Sequence, residues 1–200
     1  MIHMNKQSDR LILLVHEIYG INQHMIDVSR LFSEQGFDLI CPNLLERKTP
    51  FDYSQEEMAY DHFMKNIGFA HAADNIKRLL VDIQDKYKSI YIVGFSVGAT
   101  VAWLCSEEKG LNGIIGYYGS RIRDYLEVKP SCPTLLFFPE EEQSFHVNDI
   151  ISRLDHDHIS VHQFSGLHGF SNPYSSRYNE NSAQKAFKEV VNFFKQTSNR

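Results

Sequence analysis

The chain has 200 residues, 42% hydrophobic and 22% charged, enough for a core of ordinary size and suited to one domain spanning 1–200 rather than two. Its formal net charge of −5 comes without a long basic or acidic run. That argues against nucleic acid, whose phosphates need clustered Lys and Arg, and against a polybasic membrane anchor.

The early apolar run LILLV (11–15) is too short for a secretory core or a membrane span, and His16 and Glu17 follow at once. Cys41, Cys105 and Cys132 are scattered, with no CxxC or other metal spacing. They are expected to be small buried hydrophobes in a reduced, cytoplasmic chain.

In chain order the elements alternate. RLILLVH (10–16) reads as a strand, continuously apolar as a doubly covered parallel strand should be. Ile21, Met25, Val28 and Phe32 recur at helical spacing over 21–35, and Gly36 is a stop. FDLICPN (37–43) is a short strand broken by Pro42. Residues 44–68 read as loop plus short helix. Ile76, Leu79, Leu80 and Ile83 give a helix over 72–87 an apolar face, and SIYIVGF (89–95) is the next strand. A helix then ends at Gly110.

The second half keeps the rhythm. Strands are expected at NGIIGYYG (112–119), PTLLFFP (133–139) and HISVHQF (158–164), with helices over 147–154 and 182–195. Strands separated by helices imply βαβ units with right-handed crossovers. The expected fold is a three-layer α/β sandwich, a mostly parallel sheet of about six strands with helices on both faces.

GFSVG (94–98) stands between the strand 89–95 and the helix after it. Gly-x-Ser-x-Gly in that setting is the signature of a nucleophile elbow, a tight turn that lifts Ser96 above the carboxyl edge of the sheet. The next amide, Val97, lies at a helix N-terminus, where an oxyanion is favoured. A serine hydroxyl needs a base, and in this fold the partners follow in the order serine, acid, histidine.

His168 in FSGLHGFSNP (164–173) stands before the final helix, where the base should be. The acid should come from PEEEQSF (139–145). Counting from the strand favours Glu142, with Glu140 and Glu141 open and Asp149 and Asp155 as lesser substitutes. The second oxyanion donor is expected at Ile18, in VHEIYG (15–20). Glu17 brings a carboxylate into the mouth of the same site. DHDHISVH (155–162) is rich in metal-ligating side chains, but its alternation is that of a strand, and no metal is expected.

Taken together and in order, HEIYG (16–20), GFSVGA (94–99), GYYG (116–119), PTLLFF with its acidic loop, and HGFSNP (168–173) resemble the dienelactone hydrolase family of the α/β-hydrolase fold. The resemblance runs from about Leu11 to Phe194. It implies a cofactor-free hydrolase acting on a small-molecule ester or lactone through an acyl-enzyme. Ser96 is then the nucleophile, His168 the base, Glu142 the acid, and Ile18 and Val97 the oxyanion donors. Glu17 matches the family's glutamate beside the nucleophile.

Three departures stand out. The dienelactone enzyme itself has a cysteine where this chain has Ser96. A thiol can give its proton to a carboxylate; a serine hydroxyl cannot, so Glu17 is expected to orient the loop or bind substrate. The acid is Glu rather than Asp. Where that enzyme grips its substrate's carboxylate with an arginine just after the histidine, this chain has Asn172, with Arg177 further on. Segment 44–68, with Arg47, Phe51, Tyr53 and Phe63, is expected to cover the pocket, and Tyr117, with Tyr118, to line it. Thioester or amide hydrolysis by the same triad, and a non-catalytic binding protein on this scaffold, are the alternatives.

Overall fold

A computed structural model describes residues 1–142, 145–154 and 157–197. Seven strands form one sheet: β1 (Ile2–Met4), β2 (Arg10–Val15), β3 (Asp38–Cys41), β4 (Ser89–Phe95), β5 (Gly113–Tyr117), β6 (Thr134–Pro139) and β7 (Ile159–Phe164). Their order is β1-β3-β2-β4-β5-β6-β7. β1 pairs antiparallel with β3, and every other neighbouring pair is parallel. Expectation and structure differ by β1, a three-residue edge strand too short to show a period and followed by a polar run.

Helices cover both faces, and the parity of β2 assigns them. Leu11, Leu13 and Val15 point into a core shared with α3 (Gly68–Ile83) and α4 (Val97–Leu104), through Ile76, Leu80, Val97 and Val101. Ile12 and Leu14 point the other way, onto Met25 and Phe32 of α1 (Gln23–Glu34) and Val190 and Phe194 of α6 (Glu180–Thr197). α5 (Val147–Ile151) packs Val147 and Ile150 against Phe138 and Trp103.

Residues 44–68 are more helical than their mixed polarity suggests. A 3-10 turn at Tyr53–Gln55 runs into α2 (Glu56–His62), then a π-helical turn at Phe63–Ile67 that ends at Gly68, φ +72°. Phe51 and Phe63 are core residues, and Arg47 lies over the Phe51 ring. These three do not line the cleft described below. Tyr53 does.

Asn22 caps α1 by accepting from the Met25 amide at 3.2 Å. Two residues past the cap, His24 is 2% exposed with its ring edge-on to Phe95, and its Nε2 has no partner among the described residues. Burial lowers His24, and likewise the buried His16, to about 4. The unfolded chain, whose histidines titrate near 6.5, therefore takes up protons before the folded chain does. Stability should be complete above about pH 6.5 and fall between there and pH 4, by about 1–2 kcal/mol per histidine at pH 5. Urea midpoints at pH 7 and pH 5 measure this. His24→Phe should remove about half of the loss; an unchanged loss would show that His24 does not carry it.

Candidate active site

The site begins with one close approach. A Cβ on Gly98 would sit 2.7 Å from the carbonyl oxygen of His16 and closer still to that of Val15; a Cβ on Gly94 would overlap the Gly98 carbonyl. The two glycines let the first turn of α4 lie directly on the ends of β2 and β4. Between them Ser96 adopts φ 54°, ψ −115°, a left-handed conformation that costs an L residue of order 1–3 kcal/mol. Its amide is tied to the Tyr117 carbonyl at 2.9 Å, and its carbonyl accepts from Ala99 at 3.1 Å.

The hydroxyl meets the histidine. Ser96 Oγ lies 2.8 Å from His168 Nε2, and His168 Nδ1 lies 2.7 Å from Glu142 Oε1. A carboxylate only accepts, so Nδ1 carries the ring proton and Nε2 is free to accept from the serine. Of the three adjacent glutamates it is Glu142 that reaches the ring, with its side chain 7% exposed. His168 stands on a loop between Gly166, φ +126°, and Gly169, φ +91°, and packs on the Tyr118 ring at 5.0 Å.

Val97 N is the first amide of α4, and Ile18 N belongs to the loop leaving β2. Among the described residues neither donates to a protein acceptor. That loop is pinned by His16. The Leu44 amide donates to His16 Nε2 at 3.0 Å, which leaves Nδ1 as the donor to the Glu17 carbonyl at 2.7 Å. The ring is a neutral staple between two loops.

Glu17 is 4% exposed, and burial pushes its carboxyl above the ordinary range. No cation pairs with it among the described residues. Tyr118 donates to Oε1 at 3.0 Å and Asn172 Nδ2 to Oε2 at 3.2 Å. Asn172 also donates to Tyr53 at 2.8 Å.

Ser96, His168, Glu142, Ile18, Val97 and Glu17 all border one cleft of about 320 Å³. Tyr53, Tyr60, Arg121 and Arg177 border it too. Of these, Tyr60 and Arg121 are absent from the sequence expectation. They reach the cleft from α2 and from the 3-10 turn Ser120–Asp124, elements whose placement no local pattern announces.

Tyr117 is a correction. Its ring is 3% exposed, stacked on Phe95 at 4.5 Å and packed on Phe137, and it does not reach the cleft. Its neighbour Tyr118, at φ +43°, turns instead beneath His168 and Glu17. No three metal-ligating side chains converge among the described residues; Asp155 and His156 of the 155–162 segment lie outside them.

The sheet order, the elbow after β4 and the helices on both faces define an α/β-hydrolase fold. A model of the dienelactone hydrolase family matches residues 2–198, and the chain belongs to that family of ester-acting hydrolases. It is 42% identical over 172 residues to the uncharacterized protein YczH of Bacillus subtilis (strain 168), covering 84% of each chain. It is 25% identical over 128 residues to the carboxymethylenebutenolidase of Pseudomonas putida, covering 60% of this chain and 54% of that one. Among solved structures it is similar to a cold-adapted esterase from an Arctic intertidal metagenomic library. The TM-score is 0.72 at 16% identity, covering 95% of this chain and 83% of that one. It is also similar to the dienelactone hydrolase-like promiscuous phosphotriesterase P91 from metagenomic libraries, with TM-score 0.73, 14% identity, and coverage of 94% and 86%.

The glycine contact makes a sharp prediction. Gly98→Ala drives a methyl into backbone, not into a movable side chain, and should cost about 3 kcal/mol or more, a fall of roughly 6–12 °C in melting temperature. Gly68→Ala, where φ is +72° but no atom lies within 4 Å, should cost only about 1 kcal/mol. Thermal melts of the two variants compare them; equal losses would mean that the close approach at Gly98 is not the constraint.

Proposed function

We propose that the protein is a serine hydrolase that cleaves a small carboxylic ester or lactone through an acyl-enzyme. The observation that carries the reading is the unbroken chain from Ser96 Oγ to His168 Nε2 at 2.8 Å and from His168 Nδ1 to Glu142 at 2.7 Å. These three groups come from three loops far apart in the sequence. A serine that only capped α4 would have no need of that chain, and the Ser96 side chain makes no cap bond.

In the proposed reaction Ser96 Oγ attacks the carbonyl carbon while His168 Nε2 takes its proton. The Glu142 carboxylate keeps the ring in the required tautomer and stabilises the imidazolium. The carbonyl oxygen becomes an oxyanion between the amides of Ile18 and Val97, each worth about 3 kcal/mol in related chemistry. Collapse of the tetrahedral species expels the alcohol, which His168 protonates. Water, deprotonated by the same nitrogen, then attacks the acyl-serine; the second tetrahedral species releases the acid and returns the proton to Ser96.

Glu17 is not the base. Both of its oxygens are engaged, and a carboxyl cannot deprotonate a serine hydroxyl to a useful extent. The size and lining of the cleft favour a compact substrate. The carboxymethylenebutenolidase of Pseudomonas putida is named for a lactone, and a lactone fits the same chemistry. Asn172, bonded to Glu17 and Tyr53, occupies the neighbourhood where an arginine would hold a carboxylate, so dienelactone itself is not proposed.

The test is turnover of p-nitrophenyl acetate together with labelling by a fluorophosphonate, the modified peptide read by mass spectrometry. Ser96 should be the labelled residue. Ser96→Ala and His168→Ala should each abolish turnover with the fold intact, and Glu142→Gln should lower kcat by about 10² to 10⁴. Full turnover in Ser96→Ala, or a folded wild type that neither labels nor turns over, would overturn the reading; the second result would favour a binding scaffold.

A further inference from the structure

The polar groups behind the cleft form a chain whose hydrogen-bond polarity can be read without seeing a proton. The Asn22 Oδ1 accepts from the Met25 amide at 3.2 Å, and the Asn172 Oδ1 accepts from the Tyr174 amide at 3.0 Å. A backbone N–H can only donate, so both side-chain amides are fixed the same way round, with Nδ2 as the outward atom. Both Nδ2 groups converge on one phenol. Asn22 Nδ2 lies 3.0 Å and Asn172 Nδ2 2.8 Å from Tyr53 Oη. Two amide donors occupy the two lone pairs of that oxygen, and among the described residues nothing accepts its proton.

Around Glu17 the network closes. The second N–H of Asn172 goes to Glu17 Oε2, Tyr118 donates to Glu17 Oε1, and Ser171 Oγ, 3.1 Å away, is left to donate to Tyr118. The Tyr53 proton has no acceptor among the described residues, as is true of the second N–H of Asn22, and of these two residues it is Tyr53 that borders the cleft holding Ser96 and His168. Burial and the nearby Glu17 raise the phenol to about 12, so it keeps that proton at neutral pH. Its ring is held by an edge contact with Tyr19 at 4.7 Å.

We propose that Tyr53 is a specificity-determining residue, a donor committed in advance to an oxygen acceptor of the substrate other than the carbonyl under attack. The favoured substrates are then oxygenated esters or lactones (those with an ether, keto, hydroxyl or carboxylate oxygen near the scissile bond) rather than plain hydrocarbon esters. This rests on the serine-hydrolase reading above. A site that supplies a fixed donor rejects an analogue lacking the acceptor, because the donor is then desolvated without a partner.

Two pairs of esters matched in shape test it. p-Nitrophenyl methoxyacetate and p-nitrophenyl butyrate differ by one oxygen for methylene on the acyl side. 2-Methoxyethyl acetate and butyl acetate differ in the same way on the alcohol side. The readout is the ratio of kcat/KM within each pair, compared between wild type and variant, which cancels the intrinsic reactivity of the esters.

Tyr53→Phe should lower the oxygenated-to-hydrocarbon ratio about tenfold in at least one pair, the loss expected for one hydrogen bond. Asn22→Asp is the second variant. It keeps the cap on α1 but turns a donor into an acceptor, so Tyr53 should give its proton to Asp and the ratio should fall equally with the phenol still present. A merely steric role for the ring would leave Asn22→Asp at the wild-type ratio. Falls smaller than threefold in both pairs, or a fall in Tyr53→Phe with none in a folded Asn22→Asp, would overturn the proposal. Absence of turnover of all four esters by wild type would instead sink the serine-hydrolase reading and take this inference with it.

Discussion

The site depends on backbone lying against backbone at Gly98. The turn after β4 can rest on the carbonyls of Val15 and His16 because neither Gly94 nor Gly98 carries a side chain there. That one approach has two consequences. It forces Ser96 into its left-handed conformation, and it brings the loop leaving β2, with Ile18 and Glu17, beside the first amide of α4. The Ser96 hydroxyl and the amides of Ile18 and Val97 are thus set by the same contact rather than by three separate ones. The strain at Ser96 is borne by the rigidity of its surroundings: β4 is buried along its whole length between β2 and β5.

Around this contact the protein positions polar groups with neutral hydrogen bonds whose directions are forced. His16 is a donor at one nitrogen and an acceptor at the other because the Leu44 amide leaves it no choice. Asn22 and Asn172 are oriented in the same way by the amides of Met25 and Tyr174. A buried network of this kind specifies one arrangement, since reversing any member would face donor with donor. It also explains how Glu17 is tolerated at 4% exposure with no cation paired to it among the described residues. Two good donors partly offset its desolvation, and the residual cost appears as its raised proton affinity.

Much of this was legible in the sequence, for a physical reason. Strands covered on both faces must be continuously apolar, so β2, β4 and β6 stand out, and the glycine spacing of an elbow is visible because no other residue tolerates those contacts. Chain order pointed to Glu142 and His168, the groups that the structure brings to Ser96. What stayed hidden was nonlocal or too short. β1 has three residues and one hydrogen-bonded edge. Segment 44–68 mixes polarity because one side of it packs on the core through Phe51, Ala59 and Phe63 while Tyr53, Glu56 and Tyr60 face the cleft. Tyr117 and Tyr118 look alike in sequence. Which one turns toward the site is decided by φ +43° at Tyr118, a backbone state that nothing in an aromatic pair advertises.

The charges at the cleft separate two ways of recognising a ligand. Arg177 faces Glu56 at 3.5 Å, and Arg121 faces Asp124 at 3.2 Å and the Tyr60 hydroxyl. These pairs are half-exposed, so each contributes little to stability, but each neutralises its arginine at the rim. A ligand that bound by net charge would have to displace Glu56 or Asp124 first. On the proposal above, one that bound through a dipole would meet the Tyr53 hydroxyl already held by Asn22 and Asn172, and would lose less on entry. Behind the His168–Glu142 pair, Glu17 on the wall and His16 beneath it are each held by neutral partners whose hydrogen-bonding directions are forced.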